Sequence, residues 1–250
     1  MNVIELQNLS IGYSKKSIAS GLNLTFKAGE IVTLLGANGC GKTTLLKTIL
    51  GLLKKQAGEI MIAGKPQKAW SRKSLSQLMG YVPQAQNYHF PFSVEEIILM
   101  GRTAYLNWAS SPKASDLALV DGVIEQLEIT YLKGKLYPEL SGGERQLVLI
   151  ARAIIGNPEV LIMDEPTASL DYGNQLRVLE QIERLKNAGI TILMTTHQPE
   201  HALKIADRLI MLHQGTILAD GDAKQVLTPK NLATIYRLTE AIVEKNFNPY

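Results

Sequence analysis

The sequence predicts an α/β fold interrupted by a helical insertion, and three stretches carry that expectation. The apolar run Ile31-Val32-Thr33-Leu34-Leu35, the glycine-rich loop Gly36-Ala37-Asn38-Gly39-Cys40-Gly41-Lys42-Thr43-Thr44 and the apolar-periodic Leu45 to Leu50 follow one another as strand, loop and helix. A second apolar run, Val160-Leu161-Ile162-Met163, ends in two carboxylates, Asp164 and Glu165. Between them, from about residue 92 to 155, strand signals give way to helical spacing.

Taken in order, residues 2–9 and 22–27 alternate as strands, with a turn at Gly12-Tyr13-Ser14-Lys15-Lys16. Lys27-Ala28-Gly29-Glu30 is a turn into the strand at 31–35. Gly58 to Gly64 is a short strand between glycines, and Lys65 to Gln77 is a polar, basic surface loop with a helical turn. Met79 to Gln84 is a short strand closed by Pro83. In the insertion, Val94, Ile97, Ile98 and Gly101 share one helical face, and Leu117, Val120, Val123, Ile124 and Leu127 another. After the strand at 160–163, a helix runs from about Asn174 to Lys186 and stops at Gly189. Ile190 to Thr195 is a buried strand. Arg208 to His213 and Thr216 to Ala219 form a hairpin around Gln214-Gly215, and the tail after Asp222 makes one or two amphipathic helices.

Composition narrows the function. Of 250 residues, 46% are hydrophobic and 20% charged, as in ordinary globular domains. No apolar run reaches the roughly 18 residues of a membrane span, and Met1-Asn2-Val3-Ile4-Glu5 does not read as a signal peptide. A net charge of +3 without a basic block gives no footprint for nucleic acid. One cysteine, Cys40, excludes an internal disulfide.

The loop at 36–44 fits the phosphate-binding pattern G-x-x-x-x-G-K-[ST]. Glycines at 36, 39 and 41 let backbone N–H groups face phosphate oxygens, and the following helix N-terminus adds positive potential. Lys42 supplies a full charge for the outer phosphates and Thr43 a hydroxyl for Mg2+. Asp164, at the carboxyl end of its strand, suits Mg2+; Glu165 suits polarisation of an attacking water. Ser141 and Glu144 fit a capping box, which leaves Gly142 and Gly143 in a helix first turn where glycine is costly. A second anion site at that N-terminus accounts for them. Cys40 fills a loop position that needs a small residue, and a thiol there is open to activation by the helix N-terminus and Lys42. His197 and His201 have i,i+4 spacing, but Pro199 lies between them and no further metal ligand is near. Asp207 and Asp220 read as solvated loop residues.

The order of these motifs resembles the nucleotide-binding subunit of an ATP-binding cassette (ABC) transporter. Gly36 to Thr44 matches the family's phosphate loop, Gln84 its glutamine, Leu140-Ser141-Gly142-Gly143-Glu144-Arg145-Gln146 its signature, and Val160 to Glu165 its second nucleotide strand. Ala168-Ser169-Leu170-Asp171 resembles the aspartate loop, Thr195-Thr196-His197 the switch histidine, and Tyr13 the aromatic residue that stacks on adenine. Glu144 stands where glutamine is frequent.

The resemblance implies a phosphate-loop NTPase core with a mostly parallel sheet, an N-terminal antiparallel β subdomain and a helical insertion. One domain would cover 1–250: a nucleotide-binding core in 1–85 and 156–222, a helical subdomain over about 86–155, and C-terminal helices in 223–250. It implies a head-to-tail homodimer holding two ATP molecules, each on one copy's residues 36–44 and covered by Ser141, Gly142, Gly143 and Glu144 of the other. Thr43, Gln84 and Asp164 would hold Mg2+. Glu165, His197 and Gln84 would act on the γ-phosphate and its attacking water, and Asp171 would reach across the dimer.

Phe90-Pro91-Phe92-Ser93 and the helix to Tyr105 resemble cassettes of metal-chelate importers, for ferric siderophores, haem, cobalamin or molybdate. The expected partners are membrane permease subunits and, indirectly, a periplasmic or lipid-anchored binding protein. The expected location is the cytoplasmic face of the inner or plasma membrane. An exporter ATPase shares every catalytic motif and stays open at this point. A ribosome- or DNA-directed relative fits less well, because about 50 residues between Gln84 and the signature leave no room for a coiled coil. A regulatory module without hydrolysis fits less well still, because Glu165 and His197 are present.

Overall fold

A computed structural model describes residues 1–14, 16–84, 91–106 and 111–247. Lys15 of the expected first turn, Phe90 of the importer-like segment, residues 86–89 and 107–110 of the insertion, and 248–250 of the tail lie outside the described residues. The chain divides into two units, Met1–Trp70 with Thr191–Tyr250, and Ser71–Ile190.

In the first unit, β1 (Asn2–Tyr13) and β2 (Lys16–Lys27) form an antiparallel hairpin. Both outrun the expected strands, because Ile11 pairs with Ala19 and both are buried, so the ladder continues to Tyr13 opposite Lys16. β4 (Ala57–Ile62) pairs with β1, and β5 (Lys65–Pro66) completes a sheet ordered β2-β1-β4-β5. The expected loop after Gly64 is more structured than its polar sequence implies. It holds β5 and a 3-10 turn at Gln67–Ala69 in this unit, and in the other unit α2 (Arg72–Leu78), capped by the Ser71 hydroxyl.

The second sheet of this unit centres on β3 (Ile31–Leu35). It runs parallel to β8 (Thr191–Thr196) on one side and β9 (Arg208–His213) on the other, and β10 (Thr216–Gly221) returns antiparallel to β9. Every β3 residue is buried, the pattern of a strand covered on both faces. The helices are α1 (Lys42–Ile49), α7 (Pro199–Ile205), α8 (Ala223–Val226), α9 (Pro229–Tyr236) and α10 (Glu240–Asn246). The described part of the tail thus makes three short helices. Their buried Val226, Leu232, Ile235 and Val243 join Leu35, Ala202, Leu209 and Met211 in one apolar cluster.

The second unit carries the parallel pair β6 (Met79–Val82) and β7 (Val160–Met163), with α2, α3 (Val94–Leu99), α4 (Ala114–Gln126), α5 (Gly142–Ile154) and α6 (Tyr172–Asn187). Val94, Ile97 and Ile98 are core residues, whereas Gly101 lies past the end of α3 in a 3-10 turn. Leu117 is 53% exposed, although Val120, Val123, Ile124 and Leu127, which share its helical spacing, are buried. Asp116 is buried in that turn of α4 instead. It caps the helix by accepting the Lys113 N–H at 3.0 Å and pairs with the Arg102 Nε at 3.1 Å. The Lys113 N–H and then Arg102 hold the Asp116 carboxyl below its usual pKa. Among the described residues, no helix is long and apolar enough to cross a membrane.

Candidate functional site

β3 delivers the phosphate loop, and its start is anchored by a side chain. The buried Ile31 N–H donates to Asp207 Oδ2 at 2.8 Å. Asp207 is exposed in the loop before β9, as expected, and is a structural acceptor as well. Asp220 is not in a loop: it sits in β10 and takes two hydrogen bonds of 2.6 Å from the Arg208 guanidinium. At the other end of β3 the chain closes tightly, with the Cys40 N–H donating to the Ala37 carbonyl at 3.2 Å. Gly41, at φ 109°, turns it into α1, where only glycine is unstrained. A Cβ at Gly36 would lie 2.5 Å from the Leu212 carbonyl, and one at Gly41 would lie 2.8 Å from Ile18 Cγ2. The loop admits no side chain at either place and presents backbone instead.

Lys42 is 5% exposed, and its ammonium donates to the Gly36 carbonyl at 2.6 Å and the Ala37 carbonyl at 3.4 Å. The cation is thus held within its own loop. No side chain caps α1, so its first turn offers backbone N–H groups beside that charge. Backbone donors, a lodged ammonium and the Thr43 hydroxyl form a donor set that fits a polyphosphate and its cation. Tyr13 ends β1, 48% exposed, on the hairpin whose Ile11 and Ile18 abut Gly41.

His197 follows directly on β8. Its carbonyl accepts the Tyr236 hydroxyl at 2.6 Å, and the Gln198 N–H donates to Thr196 Oγ1 at 3.1 Å. Burial, then the nearby Glu200 and Cys40, push the Tyr236 phenol well above its usual pKa. His201 is buried on α7, and burial lowers its pKa.

In the second unit, β6 and β7 run in register from Met79↔Val160 to Val82↔Met163, and the Asp164 N–H extends the ladder to the Val82 carbonyl at 2.9 Å. Gln84, exposed, and Asp164, 4% exposed, therefore emerge at the same end of adjacent strands. That end is where ligands meet parallel sheets. Glu165 sits at φ 49°, a left-handed conformation that costs a non-glycine residue about 1–2 kcal/mol. The turn that follows holds it there, with the Ala168 N–H on the Glu165 carbonyl at 3.0 Å.

The signature opens α5. Ser141 and Glu144 form a complete capping box: the Glu144 N–H meets Ser141 Oγ at 3.3 Å, and Glu144 Oε2 accepts the Ser141 N–H at 2.7 Å. Burial pushes Glu144 up, but the Ser141 bonds and Lys135 outweigh it, and its pKa lies below normal. A Cβ on Gly143 would fall 2.3 Å from Asn174 Cγ on α6, so packing alone demands glycine there. Gly142 is freer, its virtual Cβ 3.3 Å from Leu170 Cδ2. Asn174 in turn donates its N–H (2.9 Å) and its amide (2.7 Å) to Asp171. These bonds hold the Asp171 carboxyl below its usual pKa. The signature and the aspartate loop thus pack as one piece.

Sequence reading missed three residues that hold these groups. Asn174 had a signal, the Asp171-x-x-Asn174 spacing of a helix cap. Asp207 is exposed as its sequence suggests, and neither its bond to Ile31 nor that of Tyr236 gives a signal, since the partners lie 176 and 39 positions away.

The family described as ABC transporter matches residues 19–168. An uncharacterized ABC transporter ATP-binding protein of Haemophilus influenzae is 45% identical over 246 residues, covering 98% of this chain and 94% of its own. The iron(3+)-hydroxamate import ATP-binding protein FhuC of Bacillus subtilis is 34% identical, covering 97% and 91%. Among solved structures, a metal-chelate type ABC transporter in an inward-facing conformation superposes with a TM-score of 0.85 at 33% identity, covering 96% of this chain and 90% of that one.

Proposed function

The chain belongs to the ABC transporter family, and from that premise we propose that this ATPase drives import of a metal chelate through membrane permease subunits. The observation that carries the proposal is the likeness, over nearly the whole chain, to an iron-hydroxamate import subunit and to a metal-chelate type transporter. Residues 36–44 bind the triphosphate of ATP, with Tyr13 against the adenine. Lys42 neutralises the outer phosphates from its lodged position. Thr43, Gln84 and Asp164 are the oxygen donors for Mg2+, which when bound offsets phosphate charge. Glu165 polarises the attacking water, helped by Gln84, and His197 contacts the γ-phosphate. Their contribution is chiefly positioning, as suits phosphoryl transfer.

The working unit on this reading is a homodimer in which Ser141, Gly142, Gly143 and Glu144 of one copy cover the other copy's ATP, with Asp171 reaching across. The helical segment 86–155 docks the permease, and the exposed Phe92 and Met100 flanking α3 are its apolar contacts. The assembly sits at the cytoplasmic face of the membrane, and a periplasmic or lipid-anchored binding protein supplies cargo.

The test is reconstitution with the permease and binding protein in liposomes, offering labelled ferric hydroxamate, haem, cobalamin and molybdate in turn. ATP-dependent accumulation of one of them is expected. An intact ATPase that accumulates none, or that moves a solute outward, would overturn the import reading.

A further inference from the structure

We propose that Tyr236, at the end of α9, is a positioning residue for His197, so that α9 takes part in ATP hydrolysis. The inference rests on His197 acting on the γ-phosphate.

The β3–β8 ladder stops at Leu35↔Thr196, so His197 is the first residue beyond sheet pairing. Backbone released from a ladder moves unless something else ties it. Hydrogen bonds that bracket it include the Gln198 N–H on Thr196 Oγ1 and, second, the Tyr236 hydroxyl on the His197 carbonyl at 2.6 Å. The second fixes the peptide from which the imidazole projects.

Tyr236 is well placed to do this because α9 is itself fixed. Thr228 caps it, accepting the Asn231 N–H at 3.2 Å, Pro229 opens it, and Arg237 at φ 57° ends it one residue after the tyrosine. Leu232, Ala233 and Ile235 are buried in the cluster that also contains Leu35, the last residue of β3, and against which Ala37 of the phosphate loop and Tyr236 itself pack. The switch histidine and the phosphate loop are therefore referenced to one apolar base. A phenol kept protonated by burial donates throughout the physiological pH range.

The test uses the purified full-length chain as wild type, Tyr236→Phe, His197→Gln and the double variant. Tyr236→Phe removes one oxygen and keeps the ring. We expect kcat for ATP to fall about five- to tenfold, the scale of one well-made hydrogen bond, with KM within about twofold of wild type. In the His197→Gln background the second substitution should cost nothing further. A readout without nucleotide accompanies these rates. With carbonyl-13C histidine, the resonance absent from His197→Gln should move in Tyr236→Phe while the other histidines stay.

Wild-type kcat in Tyr236→Phe, or an unmoved His197 carbonyl, overturns the inference and leaves the His197 role standing if His197→Gln is inactive. Equal losses in both backgrounds would mean that Tyr236 acts independently of His197, which also overturns it. Full activity in His197→Gln itself overturns the premise and the inference together.

Discussion

Gly143→Ala separates packing from ligand binding in the signature. The added Cβ would stand 2.3 Å from Asn174 Cγ, 2.4 Å from its Oδ1 and 2.7 Å from its Cβ. Apolar atoms rest about 3.5–4.0 Å apart, so one side must move by roughly 1 Å or more. Asn174 cannot turn aside freely, because both its amide and its N–H are bonded to Asp171. Overpacking of this kind costs about 1–3 kcal/mol, and alanine's better helix propensity returns at most about 1 kcal/mol. With that return in full, the net is a loss of up to about 2 kcal/mol, or up to roughly 8 °C in melting temperature for a protein this size.

Gly142→Ala is the internal control. Its Cβ would meet only the flexible end of Leu170, at 3.3 Å, so stability should hold or rise slightly. The assay is urea unfolding followed by circular dichroism, with the Asn174→Gly background as a third arm in which Gly143→Ala loses its penalty. Equal stability of the two alanine variants would refute the packing account of Gly143.

Three further outcomes are expected. Asp207→Ala strips the acceptor from the buried Ile31 N–H and should cost about 1–3 kcal/mol in urea unfolding, while Asp207→Asn keeps an acceptor and most of the stability. Asp116 has its pKa lowered in the folded state, so its stabilisation is fully present above the unfolded carboxylate value of about 3.9 and is lost as pH falls through the lower folded value. Asp116→Asn should accordingly melt lower than wild type at neutral pH, with the gap closing in strong acid; a gap independent of pH would contradict this. Alkylation of Cys40, which shares the loop with Lys42 and is partly exposed, should block ATP binding, and bound ATP should protect the thiol. Modification that leaves nucleotide affinity unchanged would remove Cys40 from the site.

What was legible in the sequence was local. The strand, glycines and helix of residues 31–50 lie within one short window, and the Ser141–Glu144 capping box spans a single helical turn. Such patterns read directly because their geometry is set by neighbours in the chain. What was lost depended on distance or on competition. Asp207 is solvated, but its bond to the Ile31 N–H, 176 positions away, leaves no local signal. Leu117 shares the helical spacing of the buried Val120 and Ile124 yet is exposed, because the N-terminal cap and Arg102 bring Asp116 inside instead. The extra glycines of the signature pointed to an anion, yet contact with α6 already requires one of them. The tail broke into three helices because Pro229 and the left-handed Arg237 punctuate it.

The central claim is that Glu165, held in its left-handed turn beside Asp164, activates the water that cleaves ATP. Single-turnover hydrolysis of γ-labelled ATP by the Glu165→Gln chain, measured alongside ATP affinity, addresses it most directly. The account predicts affinity within a few-fold of wild type, a cleavage rate lower by about a hundredfold or more, and ATP-bound dimers that persist. Cleavage at the wild-type rate would contradict it.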